Sequence, residues 1–216
     1  MTSKGSQLIK TVFNTDNKVM RVCERIFDFV CLNLIFLLSC LPLLTIGAAK
    51  IALYTVLEEM RNQQHVTVIK SYVDSFKSSL KLGLILFSFE ILYFGIIILD
   101  LWFIYRQTTL PFLVMKIICL GLLFLGLLFS QIIYPLAKQH RGDISSLFKM
   151  TLLQISFNML RSFLLLAILL VVFLLYLSTS VTLVFGTFYL IIAGFSNFAY
   201  LQIVTIEKMK TPQIVE

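Results

Sequence analysis

Long runs of apolar residues, separated by short polar stretches, dominate the hydrophobic pattern of this chain. Five runs cover residues 26–44, 80–104, 110–136, 160–178 and 181–206. Each is close to or above the roughly 20 residues with which an α-helix crosses the hydrocarbon core of a bilayer. No stretch alternates apolar and polar residues as the strands of a membrane barrel do. The pattern therefore predicts an all-α polytopic membrane bundle with five full spans.

A shorter apolar run follows the first span, within the stretch PLLTIGAAKIALYTVLEEMRN. Pro42 and Gly47 suit a bend before this run. Small residues share one face of the predicted helix, which would allow it to pack closely on the first span. Lys50 lies one turn after the bend and is expected to extend outward to the membrane surface. We interpret the run as a short returning helix, and the alternative is an amphipathic helix on the membrane surface.

The positive charges constrain the topology, because Lys and Arg near the ends of spans mark the cytoplasmic side. Fifteen of the 18 Lys and Arg residues lie in four segments: the N-terminus, the stretch after Glu59, the connection between the third and fourth spans, and the C-terminus. Five crossings would place the two termini on opposite sides. A returning helix after the first span removes this conflict, and both termini are then expected in the cytoplasm.

We expect one integral membrane domain over residues 1–216, with a cytoplasmic segment at 1–25, a first hairpin at 26–62 and larger units at 63–138 and 139–210. Each larger unit begins with a basic amphipathic segment, and Phe76-Lys77 in one corresponds to Phe148-Lys149 in the other. These segments are expected to form helices on the cytoplasmic surface. The shared order fits either an internal duplication or the general similarity of membrane hairpins.

Polar side chains inside the predicted spans are candidates for function, because each is costly in the bilayer. Asp100 and Lys116 lie at equal distances from the turn between the second and third spans, which predicts an ion pair. Glu90 lies near the middle of its span and has no such partner in the third span. It is either protonated or in contact with Asn33 or Asn197 of other helices. Its role is either a hydrogen bond between helices or a proton or cation site of a transporter.

Sequence signatures of enzymes and metal sites are not found. There is no P-loop, GxSxG or HExxH motif, and neither His65 nor His140 has a companion at metal-ligand spacing. The four cysteines lie in or beside apolar runs, without a CxxC motif. Membrane orientation accounts for the net charge of +7. We therefore expect a non-enzymatic protein with no catalytic residue, cofactor or metal, surrounded by lipid and not bound to nucleic acid.

The stretch LNLIFLLSCLPLLTIGAAKIALYTVLEEMRN, followed by YVDSFKSSLKLG, resembles the YesL-like family of small bacterial membrane proteins, a domain of unknown function (624). Family members share an asparagine in the first span, a proline, a Thr-Ile-Gly segment, an Ala-Leu helix and a Phe-Lys segment. In this chain these features are Asn33, Pro42, Thr45, Ile46, Gly47, Ala52, Leu53, Phe76 and Lys77, with Asn158 as a later match. Lys50 and Leu32 depart from the family pattern, which has a small polar residue and often an aromatic one there.

The resemblance implies no assigned reaction. Family members are often encoded beside carbohydrate ABC importers, glycoside-degrading enzymes and sensor kinases, which implies an accessory role in sugar uptake or sensing. The expected function is therefore that of an accessory protein in the bacterial cytoplasmic membrane, with the subunits of a carbohydrate ABC importer as partners. The alternatives are a small secondary transporter that uses Glu90 and a membrane regulator of a sensor kinase.

Overall fold

The computed structural model describes residues 18–62, 66–107, 109–138 and 144–207, and every regular element within these ranges is helical. The helices are α1 (Lys18–Ser39), α2 (Ile46–Asn62), α3 (Val68–Ile104), α4 (Leu110–Ala137), α5 (Ile144–Phe157), α6 (Met159–Ser178) and α7 (Ser180–Glu207). A short 3-10 turn, Leu43–Thr45, precedes α2, and a π-helical turn, Leu190–Gly194, interrupts α7. The predicted all-α class is confirmed.

Four of these helices, α3, α4, α6 and α7, are long and apolar enough to cross a membrane. They contain the predicted spans at 80–104, 110–136, 160–178 and 181–206. The first predicted span is different, because α1 ends at Ser39 and not at residue 44. α1 itself contains Glu24, Arg25 and Asp28, and it is not among the four candidate spans. The structure thus supports a membrane protein with four apolar spans.

The amphipathic segment before the second span is not a helix of its own. That segment is the first part of α3, which continues for 37 residues without a break. At 1.5 Å per residue α3 is about 55 Å long, whereas the hydrocarbon core is about 30 Å thick. The corresponding segment before α6 does form a helix of its own, α5, because Asn158 leaves the α-helical conformation at φ −124° and ψ 36°.

α2 packs chiefly against α3, and not against α1 as its small residues suggested. Near the start of α2, the backbone of Gly47 lies directly against that of Gly83. Near its end, the Ser71 hydroxyl donates a hydrogen bond to the Glu59 carboxylate. These contacts place α2 antiparallel to the first part of α3, and most of residues 84–104 extend beyond it.

α1 packs antiparallel to the second half of α7. The rings of Phe29 and Tyr200 lie 5.7 Å apart between centroids, and those of Phe36 and Phe195 lie 5.5 Å apart. The first part of α7, Ser180–Tyr189, contains no buried residue. The hairpin of α1 and α2 therefore accompanies the long helices over only part of their length.

Two ion pairs join three helix ends on one side of the bundle. Lys138 follows α4 and pairs with Glu58 of α2, and Arg61 of α2 pairs with Glu207 of α7. The hydrophobic core centres on α2, which supplies eight of its buried residues: Ala49, Ile51, Ala52, Leu53, Tyr54, Val56, Leu57 and Met60. Several predicted features lie outside the described residues, namely most of the N-terminal segment, His65, His140, Lys208 and Lys210.

Candidate functional site

Glu90 is the centre of a polar cluster that joins α2, α3 and α4. Ser130 donates a hydrogen bond from Oγ to Glu90 Oε1 at 2.5 Å, and the Tyr134 hydroxyl donates one to Oε2. Lys50 Nζ lies 3.4 Å from the same Oε2 and completes an ion pair. The carboxylate therefore accepts from three donors on two other helices. We call Lys50, Glu90, Ser130 and Tyr134 the Glu90 cluster.

Lys50 does not extend outward, and this prediction was wrong. Its ammonium group faces Glu90 and lies 4.3 Å from the centroid of the Tyr134 ring. The Lys50 side chain is 30% exposed and that of Glu90 is 18% exposed. Because an isolated charge at membrane depth is costly, a nearby counter-ion and an aromatic face explain the direction of the lysine.

The sequence contained one overlooked signal for this cluster. Ser130 and Tyr134 are four residues apart, so both lie on one face of α4, and that face meets Glu90. Counted from the turn between the second and third spans, Glu90 falls opposite Gly126, which is one helical turn from Ser130. Lys50 could not be assigned in this way, because it comes from a different hairpin.

An apolar cavity of about 420 Å³ lies beside the Glu90 cluster, between α3, α4 and α5. Its lining residues with polar side-chain atoms are Glu90, Tyr93, Ser130 and Tyr134. The remaining lining residues are largely aromatic or aliphatic: Leu86, Phe89, Phe94, Leu125, Gly126, Phe129, Ile133, Phe148, Leu152 and Ile155. A volume of this size is typical of small-molecule sites.

Asn33 does not contact Glu90, but binds the π-helical turn of α7. Its Nδ2 donates hydrogen bonds to the carbonyl oxygens of Leu190 (2.9 Å) and Ile191 (2.7 Å), and its Oδ1 accepts one from the Ser196 N–H at 3.1 Å. A π-helical turn departs from the regular α-helical bonding pattern. The fully buried amide satisfies these backbone groups and thereby connects α1 to α7.

The other residues of the family motif shape the turn between α1 and α2. Pro42 precedes the 3-10 turn, and Thr45 Oγ1 lies 2.7 Å from the carbonyl oxygens of both Ser39 and Pro42. Gly47 then brings α2 onto α3. Further along the chain, Phe76 packs against the core, whereas Lys77 is exposed.

The remaining predicted polar residues have separate environments. Lys116 donates hydrogen bonds to the carbonyl oxygens of Tyr105 (3.1 Å) and Gln107 (2.8 Å) at the turn between α3 and α4. The predicted ion pair between Lys116 and Asp100 is not formed among the described residues. Asn197 donates a single hydrogen bond to the Tyr189 hydroxyl, within α7.

Replacing Asn33 with leucine is expected to lower the free energy of unfolding by about 1–2 kcal/mol, because it leaves buried backbone groups without partners. Thermal unfolding of the purified protein in detergent, followed by circular dichroism, measures the change. Asn197→Leu is the matched control, since that asparagine is exposed. Equal melting temperatures for the two variants would show that the bonds to the π-helical turn contribute little.

Metal-ligating side chains are not gathered in the described part of the chain, where no group of three or more His, Cys, Asp or Glu residues is placed to hold a metal ion. Comparison with curated proteins and with solved structures finds no match. Residues 29–101 match a family model described as "Protein of unknown function, DUF624".

The matched segment is about a third of the chain and includes much of α1, all of α2 and most of α3. It contains Asn33, the α1–α2 turn and two members of the Glu90 cluster, Lys50 and Glu90. Ser130 and Tyr134 lie outside it. The resemblance seen in the sequence is therefore confirmed over residues 29–101, where the chain matches DUF624, a family of proteins of unknown function.

Proposed function

We propose that this chain is a non-enzymatic accessory protein of the bacterial cytoplasmic membrane that works with a carbohydrate ABC importer. The supporting observation is that the Glu90 carboxylate, beside an apolar cavity, is already bonded to Ser130, Tyr134 and Lys50. Sugar hydroxyl groups need hydrogen-bond partners once they leave water, and the cavity wall offers few beyond groups that already bond one another. A partner would therefore carry the sugar. The link to an importer comes from the family resemblance.

The proposed orientation places the ion-paired side of the bundle in the cytoplasm. The ends of α2, α4 and α7 lie on that side, and basic residues are concentrated near them. Cytoplasmic loops of membrane proteins carry an excess of Lys and Arg. In this orientation α5 and the start of α3 face the cytoplasm, where their exposed Lys149 and Lys77 would contact the importer or its ATPase.

Purification of the full-length protein in a mild detergent tests the accessory role. Subunits of a carbohydrate importer are expected to co-purify reproducibly. The double variant Lys77→Glu/Lys149→Glu is expected to recover less of them, because it reverses two charges on the proposed contact surface. Lys116→Glu is the matched control on the opposite side. Absence of importer subunits, together with unchanged sugar uptake after deletion, would contradict the proposal.

A small secondary transporter is the second candidate function. It is favoured by the ion pair between Lys50 and Glu90 at the edge of the cavity, because ionisable groups at membrane depth commonly mark transport pathways. Uptake by the purified chain alone in liposomes, abolished by Glu90→Gln, would support this candidate. Liposomes that show no uptake for any solute tested, while importer subunits co-purify, would favour the accessory role.

A further inference from the structure

The cavity beside the Glu90 cluster combines an acidic group with aromatic walls. Glu90 is the one charged residue among its described lining residues. Six aromatic side chains line the same space: Phe89, Tyr93, Phe94, Phe129, Tyr134 and Phe148. Aromatic faces attract cations through their quadrupole, and more strongly where water is excluded. The wall therefore suits an apolar molecule that carries a positive charge.

The chain's own lysine already pairs with Glu90, although Lys50 is not among the residues that line the cavity. Lys50 Nζ is 3.4 Å from Glu90 Oε2 and 4.3 Å from the centroid of the Tyr134 ring. A carboxylate and an aromatic face around one cation is an arrangement that also recognises organic ammonium groups. Lys50 is partly exposed and carries a flexible four-carbon stem, so its ammonium group is able to leave this position.

We propose that the cavity binds lipophilic organic cations, whose charged centre competes with Lys50 for Glu90. The apolar walls hold the body of the ligand, and Glu90 with the Tyr134 ring holds its charge. These cations would be the ligand class of the site on which the second candidate function rests. Their binding requires neither transport nor an importer.

Equilibrium binding of tetraphenylphosphonium to the purified full-length protein in detergent tests this proposal. Tetraphenylborate is the matched probe, because it has nearly the same shape and apolar surface with the opposite charge. We expect saturable binding of tetraphenylphosphonium and none of tetraphenylborate. Equal binding of the two ions, or binding that does not saturate, would overturn the proposal and indicate partition into detergent and apolar surface.

Two variants with opposite expected effects identify the site. Glu90→Gln is expected to weaken tetraphenylphosphonium binding by about tenfold, because it removes the negative charge at the cavity wall. Lys50→Met is expected to strengthen binding several-fold, because it removes the internal competitor. Lys116→Met, near the opposite end of α4 from the cluster, is expected to leave binding unchanged.

The Lys50→Met variant separates the proposed site from a purely structural ion pair. Misfolding lowers affinity, so a gain in affinity cannot arise from it. Weaker binding in both Lys50→Met and Glu90→Gln would overturn the proposal. Tetraphenylphosphonium binding without uptake into liposomes would count against the transporter and leave the binding site in place.

Discussion

Replacing Gly83 with alanine is expected to lower the free energy of unfolding by about 3 kcal/mol or more, because the added methyl group meets backbone and not a movable side chain. An ideal Cβ at this position would lie 2.3 Å from Ala48 N and 2.5 Å from Ala48 Cα. The reverse contact is as close, since a Cβ on Gly47 would lie 2.1 Å from Gly83 O. The two helices would have to separate along their main interface.

The chain provides matched controls for this substitution on the same helix and on its neighbour. A Cβ on Gly95 of α3 or Gly121 of α4 meets nothing within 4 Å. Alanine at either site is expected to be neutral or slightly stabilising, because alanine favours a helix over glycine by about 1 kcal/mol. Thermal unfolding in detergent, followed by circular dichroism, compares the three variants. A Gly83→Ala protein that melts with the controls would show that α2 and α3 are not in close contact.

Replacing Glu90 with leucine is expected to lower the free energy of unfolding by about 2–3 kcal/mol. The change leaves Lys50 without its counter-ion and removes the acceptor for the Ser130 and Tyr134 hydroxyl groups. Breaking a buried ion pair from one side costs about 3–5 kcal/mol, and the partial exposure of both side chains reduces that figure here.

The double variant Lys50→Met/Glu90→Leu distinguishes loss of the pair from loss of one partner. We expect it to be more stable than Glu90→Leu alone, because apolar side chains that replace a whole buried ion pair are often tolerated. Asp100→Leu, at an exposed position on the same helix, is the control and is expected to change stability little. A double variant less stable than Glu90→Leu would mean that Lys50 makes a contribution independent of Glu90.

The spans were predictable because lipid imposes a simple requirement on the sequence. Each crossing helix needs about 20 apolar residues, and α4, α6 and α7 begin and end within one or two residues of the predicted limits. The length of α3 was not predictable in this way. Its amphipathic first part contains no Pro or Gly before Gly83, so nothing ends the helix there. Gly83 does not end it either, but allows α2 to pack closely on α3.

The partners of polar residues were harder to predict from the sequence. Counting residues from a turn gives relative depth within one hairpin, but not between helices of different hairpins. Asn33 illustrates this limit. Its place in the family motif marked it as significant, but the π-helical turn that it binds lies about 160 residues away. The same limit applies to the Glu90 cluster, because Lys50 comes from α2 while Ser130 and Tyr134 come from α4.

The α1–α2 hairpin accompanies the long helices over only part of their length. The molecule is therefore wider at one end than at the other. On the ion-paired side, α1 and α2 stand beside α3, α4 and α7. At the other end, the exposed first part of α7 and the last part of α3 continue without them. Such a wedge displaces more lipid from one leaflet than from the other.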